Sequence, residues 1–208
     1  MDKDKQSKNI ILEQGFEALS KDGVKFFTVE TLAADLRMSK KTIYKYFPTK
    51  EKLLEKIVGF FTGSVKRKFQ SIVESNENPI TKFNMAMDFI MKKISFLKME
   101  NVMELKGRYP NLWNKIEDFR LEMTQYIANI FIEAQQKGLA RADVDMEKVA
   151  IIYMNIVNNT FQPEFFLKNN LAPVDTIRLF VKMITEGLFT QDGVGIMIES
   201  GDTNNSNI

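Results

Sequence analysis

Along this 208-residue chain apolar residues recur at helical period in nearly every segment, and no stretch alternates at period two for long enough to pair as a strand. The spacing therefore predicts an all-α fold, and local punctuation divides it into nine helices. The first spans about 3–20, with Ile11, Leu12, Phe16 and Leu19 on its apolar side, and stops at Asp22-Gly23. Thr28 is placed to cap a short helix through Leu36, and Ser39 another through Tyr46. Pro48 ends that one, and Thr49 caps a long helix over 50–74. Asn78-Pro79 opens a helix to about residue 98 by the rule that proline suits the first helical position. A short helix over 100–106 leads to Tyr109-Pro110 and a long helix ending at Lys137-Gly138. Asp145 caps a helix to about residue 168, and Pro173 begins the last, to about 189. The polar, Gly- and Asn-rich stretch 191–208 reads as a disordered tail.

Composition narrows the chemistry. There is no cysteine, so disulfides, thiolate metal sites and cysteine nucleophiles are out, and no histidine, which removes the commonest general base and metal ligand. No cofactor or metal site is expected, and the chain does not read as an enzyme. The longest run without a charged residue, 149–163, is fifteen residues and includes three asparagines, short of the roughly 20 apolar residues a spanning helix needs. The charged N-terminus is no signal peptide, so a cytoplasmic protein that does not bind membranes is expected. The net charge of +2 conceals a concentration. Arg37, Lys40, Lys41, Lys45, Lys50 and Lys52 lie within 37–52 against the single acid Glu51, and a polyanion would sit there unless the run is merely a solvated helix face.

The same stretch carries the informative motif. Residues 28–54 hold two short helices joined by a tight turn, the spacing of a helix-turn-helix. Val29, Leu32, Ala33, Leu36, Met38, Ile43 and Phe47 supply a small shared core, with Ala33 where the helices cross. The other positions of the second helix, Lys40, Lys41, Thr42, Tyr44, Lys45 and Tyr46, combine cations, hydroxyls and rings. A helix in the major groove needs that mixture, with cations for phosphates, polar tips for base edges and a ring or methyl for thymine.

Ser39-Lys40-Lys41-Thr42-Ile43-Tyr44-Lys45-Tyr46-Phe47, followed by Lys50-Glu51-Lys52-Leu53, resembles the signature of TetR-family transcriptional regulators. The resemblance covers about a quarter of the chain. It implies that Thr28 touches phosphate at the start of its helix and that Ser39 opens the recognition helix. Lys40, Lys41, Thr42 and Lys45 would meet bases or flanking phosphates, Tyr44 and Tyr46 would brace the DNA backbone, and Lys50 would reach a phosphate. For each tyrosine the alternative is a ring closing the small core. The family usually has glycine where this chain has Arg37, so either the turn differs here or Arg37 tolerates a left-handed backbone and adds a phosphate contact, at a strain of about 1 kcal/mol.

A reading head of this size leaves most of the chain for another task. The C-terminal part is rich in Met and Phe, soft side chains that suit a pocket for apolar ligands as well as they suit an ordinary core. Met87, Met91, Met103, Trp113, Met123 and Tyr126 are candidate pocket residues. Asn155, Asn158, Asn159 and Gln162, at i, i+3, i+4 and i+7, form a polar stripe that could bond a ligand, a partner subunit or water. The last two helices are apolar on more than one side, which predicts a two-fold four-helix dimer interface through Ile152, Ile156, Ile177, Val181, Ile184 and Leu188.

The resulting expectation is an all-α protein with a helix-turn-helix DNA-binding domain at 1–49, a six-helix ligand-binding and dimerisation domain at 50–190 and a tail at 191–208. Its partners would be double-stranded operator DNA, a second copy of itself and a mainly apolar small-molecule inducer. An activator or global regulator without a ligand is the alternative reading.

Overall fold

The structure, a computed structural model, describes residues 3–197. Among them the elements are α1 (Lys3–Phe26), α2 (Val29–Asp35), α3 (Lys40–Tyr46), α4 (Lys50–Val73), α5 (Pro79–Ile94), α6 (Met99–Arg108), α7 (Pro110–Gln136), α8 (Met146–Asn155), a π-helical turn (Ile156–Thr160), α9 (Pro163–Asn169) and α10 (Pro173–Leu188). An isolated bridge joins Ala140 to Phe189. The all-α class is as the periodicity predicts. Local chemistry also explains where the helices begin. Thr28, Ser39, Asn78 and Asp145 each accept a hydrogen bond from the backbone N–H three residues on, satisfying a donor that has no partner inside its helix.

Three boundaries differ from expectation. The helix expected over 145–168 is broken into α8, the π turn and α9. Pro163 has no N–H and forces Gln162 into extended geometry (φ −95°, ψ 156°), so the helix has to end and restart. The first helix continues past residue 20 to Phe26, although Gly23 (φ 78°, ψ 167°) interrupts its regular geometry. Residues 191–197 are helical rather than an irregular tail, and the rest of that expected tail, 198–208, lies outside the described residues.

The chain divides into two compact units. One runs to Val65 and includes Phe96–Glu117; the other comprises Lys66–Ser95 and the chain from Asp118 onward. The first is thus larger than the expected reading head at 1–49, because α6 and the start of α7 pack with it. Its core joins Ile11, Leu19, Phe27, Leu32, Ile43, Phe47, Leu53, Leu54, Ile57 and Leu112. Gly15 lets α1 lie tight on α4, since a Cβ there would come within 2.6 Å of Ile57. The Asn101 side chain of α6 donates to the carbonyls of Ser20 (3.4 Å) and Lys21 (3.3 Å), near the end of the regular part of α1.

The second unit is built on an aromatic cluster. Phe83, Phe131, Tyr153 and Phe189 meet largely edge to face, and Phe180 stacks on Tyr153 at 5.3 Å. Lys82, only 7% exposed in its side chain, is held by Glu133 at 2.9 Å, and Lys137 bonds the other oxygen of that carboxylate at 2.8 Å.

Candidate nucleic-acid interface

The α2–α3 turn fixes the geometry of the reading head. Arg37 adopts φ 52°, the left-handed region. Its N–H donates to Ala34 O (3.0 Å) and that of Met38 to Ala33 O (2.9 Å), the paired bonds that close a helix in a Schellman motif. The turn therefore keeps the backbone that glycine would favour, and arginine bears the strain while its exposed side chain reaches solvent. Ile43 and Phe47 then seat α3 in the core, which leaves Lys41, Tyr44 and Lys45 exposed away from it and Lys40 exposed at the start of the helix. Tyr44, 40% exposed, does not close the core.

The remaining candidates are engaged within the protein. The Thr28 hydroxyl accepts from Thr31 N–H at 3.0 Å in a capping box, and the Ser39 hydroxyl accepts from Thr42 N–H at 3.1 Å with the Thr42 hydroxyl 2.9 Å away. Both serve first as helix caps. Tyr46 is half-buried against the core, and its hydroxyl donates to the Asp4 carboxylate at 2.8 Å. Lys50 is half-buried too, with its ammonium 3.4 Å from Val24 O and above the Phe27 ring.

Acids that the motif did not identify also face the recognition helix. Glu30 pairs with Lys40 at 3.0 Å, and the hydrogen bond from that lysine, helped by its charge, holds the Glu30 carboxyl below the usual 4.5. Asp4 stands 4.0 Å from Lys45, and Lys8 lies over the Tyr46 ring. No sequence signal marked Asp4, which is 42 residues from Tyr46.

The residues expected to line a pocket are divided between the units. Met103, exposed, and Trp113, buried and donating to Glu117 at 2.9 Å, belong with the reading head. Met87, Met91, Met123, Tyr126, Asn155, Asn158, Asn159 and Gln162 belong to the second unit. There Met87 sulfur accepts from the buried Tyr153 hydroxyl at 3.2 Å, and Phe69 meets Tyr126 edge to face. A cleft of about 230 Å³ lined by Glu55, Lys56, Val58, Gly59, Thr62, Leu112 and Lys115 lies within the first unit and contains none of the candidates. The polar stripe is also rearranged by the π turn. Asn155 and Asn159 are exposed, Gln162 is half-buried, and the Asn158 amide is buried.

The candidate dimer residues sort by face. Val181 and Leu188 are in the core of their own unit, and Ile156, Ile177 and Ile184 are half-buried. Ile152 is exposed, and with it are Ile151, Leu179 and Met183, at 59–64%. On α10 the exposed pair lies opposite the stripe chosen from the sequence, because residues two apart on a helix point in nearly opposite directions.

Residues 11–57 match the family profile described as bacterial regulatory proteins, tetR family. An uncharacterised HTH-type transcriptional regulator of Bacillus subtilis, YvaF, is 25% identical over 179 residues, which is 86% of this chain and 93% of the relative. Among solved structures, a TetR transcription regulator from Haloarcula marismortui superposes with a TM-score of 0.68 at 16% identity, covering 89% of this chain and all of the other. A gamma-butyrolactone receptor described as ArpA-like gives 0.64 at 13% identity, covering 98% of each chain. The resemblance read from residues 39–53 is thereby borne out: residues 11–57 match the tetR-family DNA-binding profile, and the rest of the chain shares the fold of these regulators.

Proposed function

We propose that this TetR-family regulator is a homodimeric repressor that binds a pseudopalindromic operator and is released by a mainly apolar small molecule. The observation that carries the reading is the exposed surface of α3, where Lys41, Tyr44 and Lys45 stand away from the buried Ile43 and Lys40 is exposed at the helix start. A helix seated in this way presents cations and a ring to the major groove while its back is fixed by the core. Arg37 in the turn adds a cation for a flanking phosphate. In this reading 1–49 is the reading head, and 50–190 carries ligand binding and dimerisation.

The exposed apolar side chains supply the dimer. Ile151 and Ile152 on α8 and Leu179 and Met183 on α10 belong to helices joined by the Tyr153–Phe180 stack, and a second copy would cover them in a four-helix contact. Each head alone meets one half-site, so operator affinity depends on both heads engaging at once, and a small change in their spacing removes much of it. A ligand that moves the population from 1:99 to 99:1 must favour the released form by about 5.5 kcal/mol.

The test is fluorescence anisotropy on a genomic duplex retained by the purified protein, beside a random duplex, over a range of salt. Preferential binding of the retained duplex, with affinity falling steeply as salt rises, is expected. Equal affinity for both duplexes with no salt dependence would sink the reading.

A further inference from the structure

Gly59 stands in the interior of α4 for no reason that its backbone or its packing supplies. Its φ is not positive, unlike those of Gly23 and Gly138. A Cβ added to it would meet nothing within 4 Å, whereas one at Gly15 would strike Ile57. Glycine is a poorer helix residue than alanine, so its place here weakens α4 without relieving any crowding. What the missing side chain does is leave room. Gly59 lies in the wall of the cleft of about 230 Å³ that α4 forms with the start of α7.

The rest of that cleft sorts by chemistry. Val58 and Leu112 give it an apolar lining, each 7% exposed and part of the core of the unit. The Thr62 hydroxyl donates to Val58 O at 3.1 Å within its own helix, so its proton is already placed. The free donors are ammonium groups. The Glu55 carboxylate bonds Lys115 through one oxygen and Lys52, at 2.9 Å, through the other, and the bonds from Lys115 and then Lys52 hold its carboxyl down at about 2. Lys56 makes no ion pair among the described residues. Three ammonium groups thus share a single carboxylate beside an apolar hollow. A ligand's amine would find that carboxylate taken, whereas a ligand's carboxylate meets an excess of positive charge.

We infer that the cleft between α4 and α7 is a binding site for a small, flat, apolar carboxylate, its body over Gly59, Val58 and Leu112 and its charge on Lys56 and Lys115. This rests on the ligand-released reading above and narrows the mainly apolar molecule to an acid. The place suits that reading, because α4 begins at Lys50, directly after α3 in the chain, and the cleft lies along its residues 55–62.

The probes are 2-naphthoate and 2-naphthamide, alike in shape and different in charge. Each is titrated calorimetrically into the full chain without DNA. The wild type should bind the carboxylate about tenfold or more tightly than the amide, the advantage of bonds to a charged group. Gly59→Leu fills the hollow with a better helix former, so it should abolish binding of both probes while the melting temperature does not fall. Lys56→Gln should weaken the carboxylate by about threefold and leave the amide unchanged. Equal affinity of the two probes for the wild type, binding of neither, or an unchanged ratio in Lys56→Gln overturns the proposal. So does naphthoate binding retained in Gly59→Leu, which would place the acid on the exposed lysines of α3. Should Gly59→Leu fail to fold, Gly59→Ala takes its place and should weaken both probes; unchanged affinity there overturns the proposal equally. Operator binding is followed in parallel. If naphthoate occupies the cleft while the operator stays bound, the site stands and the release reading falls. If naphthoate fails to bind while another small molecule releases the operator, the reverse holds.

Discussion

Arg37→Gly should make this protein more stable, and the backbone of the turn says by how much. A side chain at φ 52° costs about 1–2 kcal/mol because Cβ crowds the neighbouring carbonyl. Glycine removes that crowding, but its greater freedom in the unfolded chain gives back about 0.5–1 kcal/mol. The difference is a net gain of about 0.5–1 kcal/mol, with the Ala34 and Ala33 carbonyl bonds unchanged. For a chain of this length that corresponds to about 2–3 °C in melting temperature. Arg37→Ala is the control: it also loses the guanidinium but keeps the crowded Cβ, so it should gain nothing. Urea and thermal unfolding of the three proteins measure the effect. If glycine and alanine prove equally stable, arginine is not strained and the turn differs from the one seen. The same pair reports on function, because both variants lack the cation. Each should reduce the slope of log affinity against log salt by about one unit if Arg37 meets a phosphate.

The remaining predictions use other parts of the molecule. Asp4→Asn frees Lys45 and Tyr46 from a carboxylate, so affinity for operator and random duplex alike should rise by a few-fold; anisotropy at fixed salt checks it, and unchanged affinity would show that DNA does not displace Asp4. Leu179→Glu, at an exposed position, should leave a folded protein that sediments as a weaker dimer, whereas Val181→Glu, only 6% exposed before substitution, should unfold the unit; equal loss of folding in both would place the interface elsewhere. Burial pushes the Glu133 carboxyl up, but the bonds from Lys137 and Lys82 outweigh it and hold its folded value below 4.5, so this carboxylate contributes stability above the unfolded value that is lost as pH falls through the folded one. Glu133→Gln should abolish that acid-limb loss and cost about 3 kcal/mol near neutral pH, because it leaves the buried Lys82 unpaired; an unchanged acid titration of stability would refute the pairing. Gly59→Ala adds a Cβ that meets nothing within 4 Å inside α4 and should stabilise by about 0.5–1 kcal/mol in denaturant melts.

What could be read from the sequence followed the range of the interaction. The caps at Thr28, Ser39, Asn78 and Asp145 bond three residues ahead, so the residues that create them adjoin in the chain. The recognition helix was legible for the same reason, because the residues that seat it and those it presents lie within one nine-residue run. Pro163 was legible too, but fifteen uncharged residues at helical period outweighed a single local signal that should have ended the helix at Gln162. Asp4 and Glu30 could not be found this way, since only tertiary packing sets them beside α3.

Which face of α10 turns inward was not legible for a different reason, and that reason bears on the proposed interface. On α10 the apolar residues Ile177, Leu179, Phe180, Val181, Met183, Ile184 and Leu188 occupy most of the circumference, so period alone cannot choose which stripe turns inward. The core takes Val181 and Leu188, and the aromatic stack on Tyr153 takes Phe180. A helix with only one buried face would carry charges at 179 and 183, as it does at Lys182 and Glu186, which flank Met183 on the open side. Leucine and methionine at those two positions, with Ile151 and Ile152 on α8, fit a second partner better than they fit water. Val181 and Leu188 of the stripe chosen from the sequence lie in the core of their own unit, and the proposed interface is the opposite face.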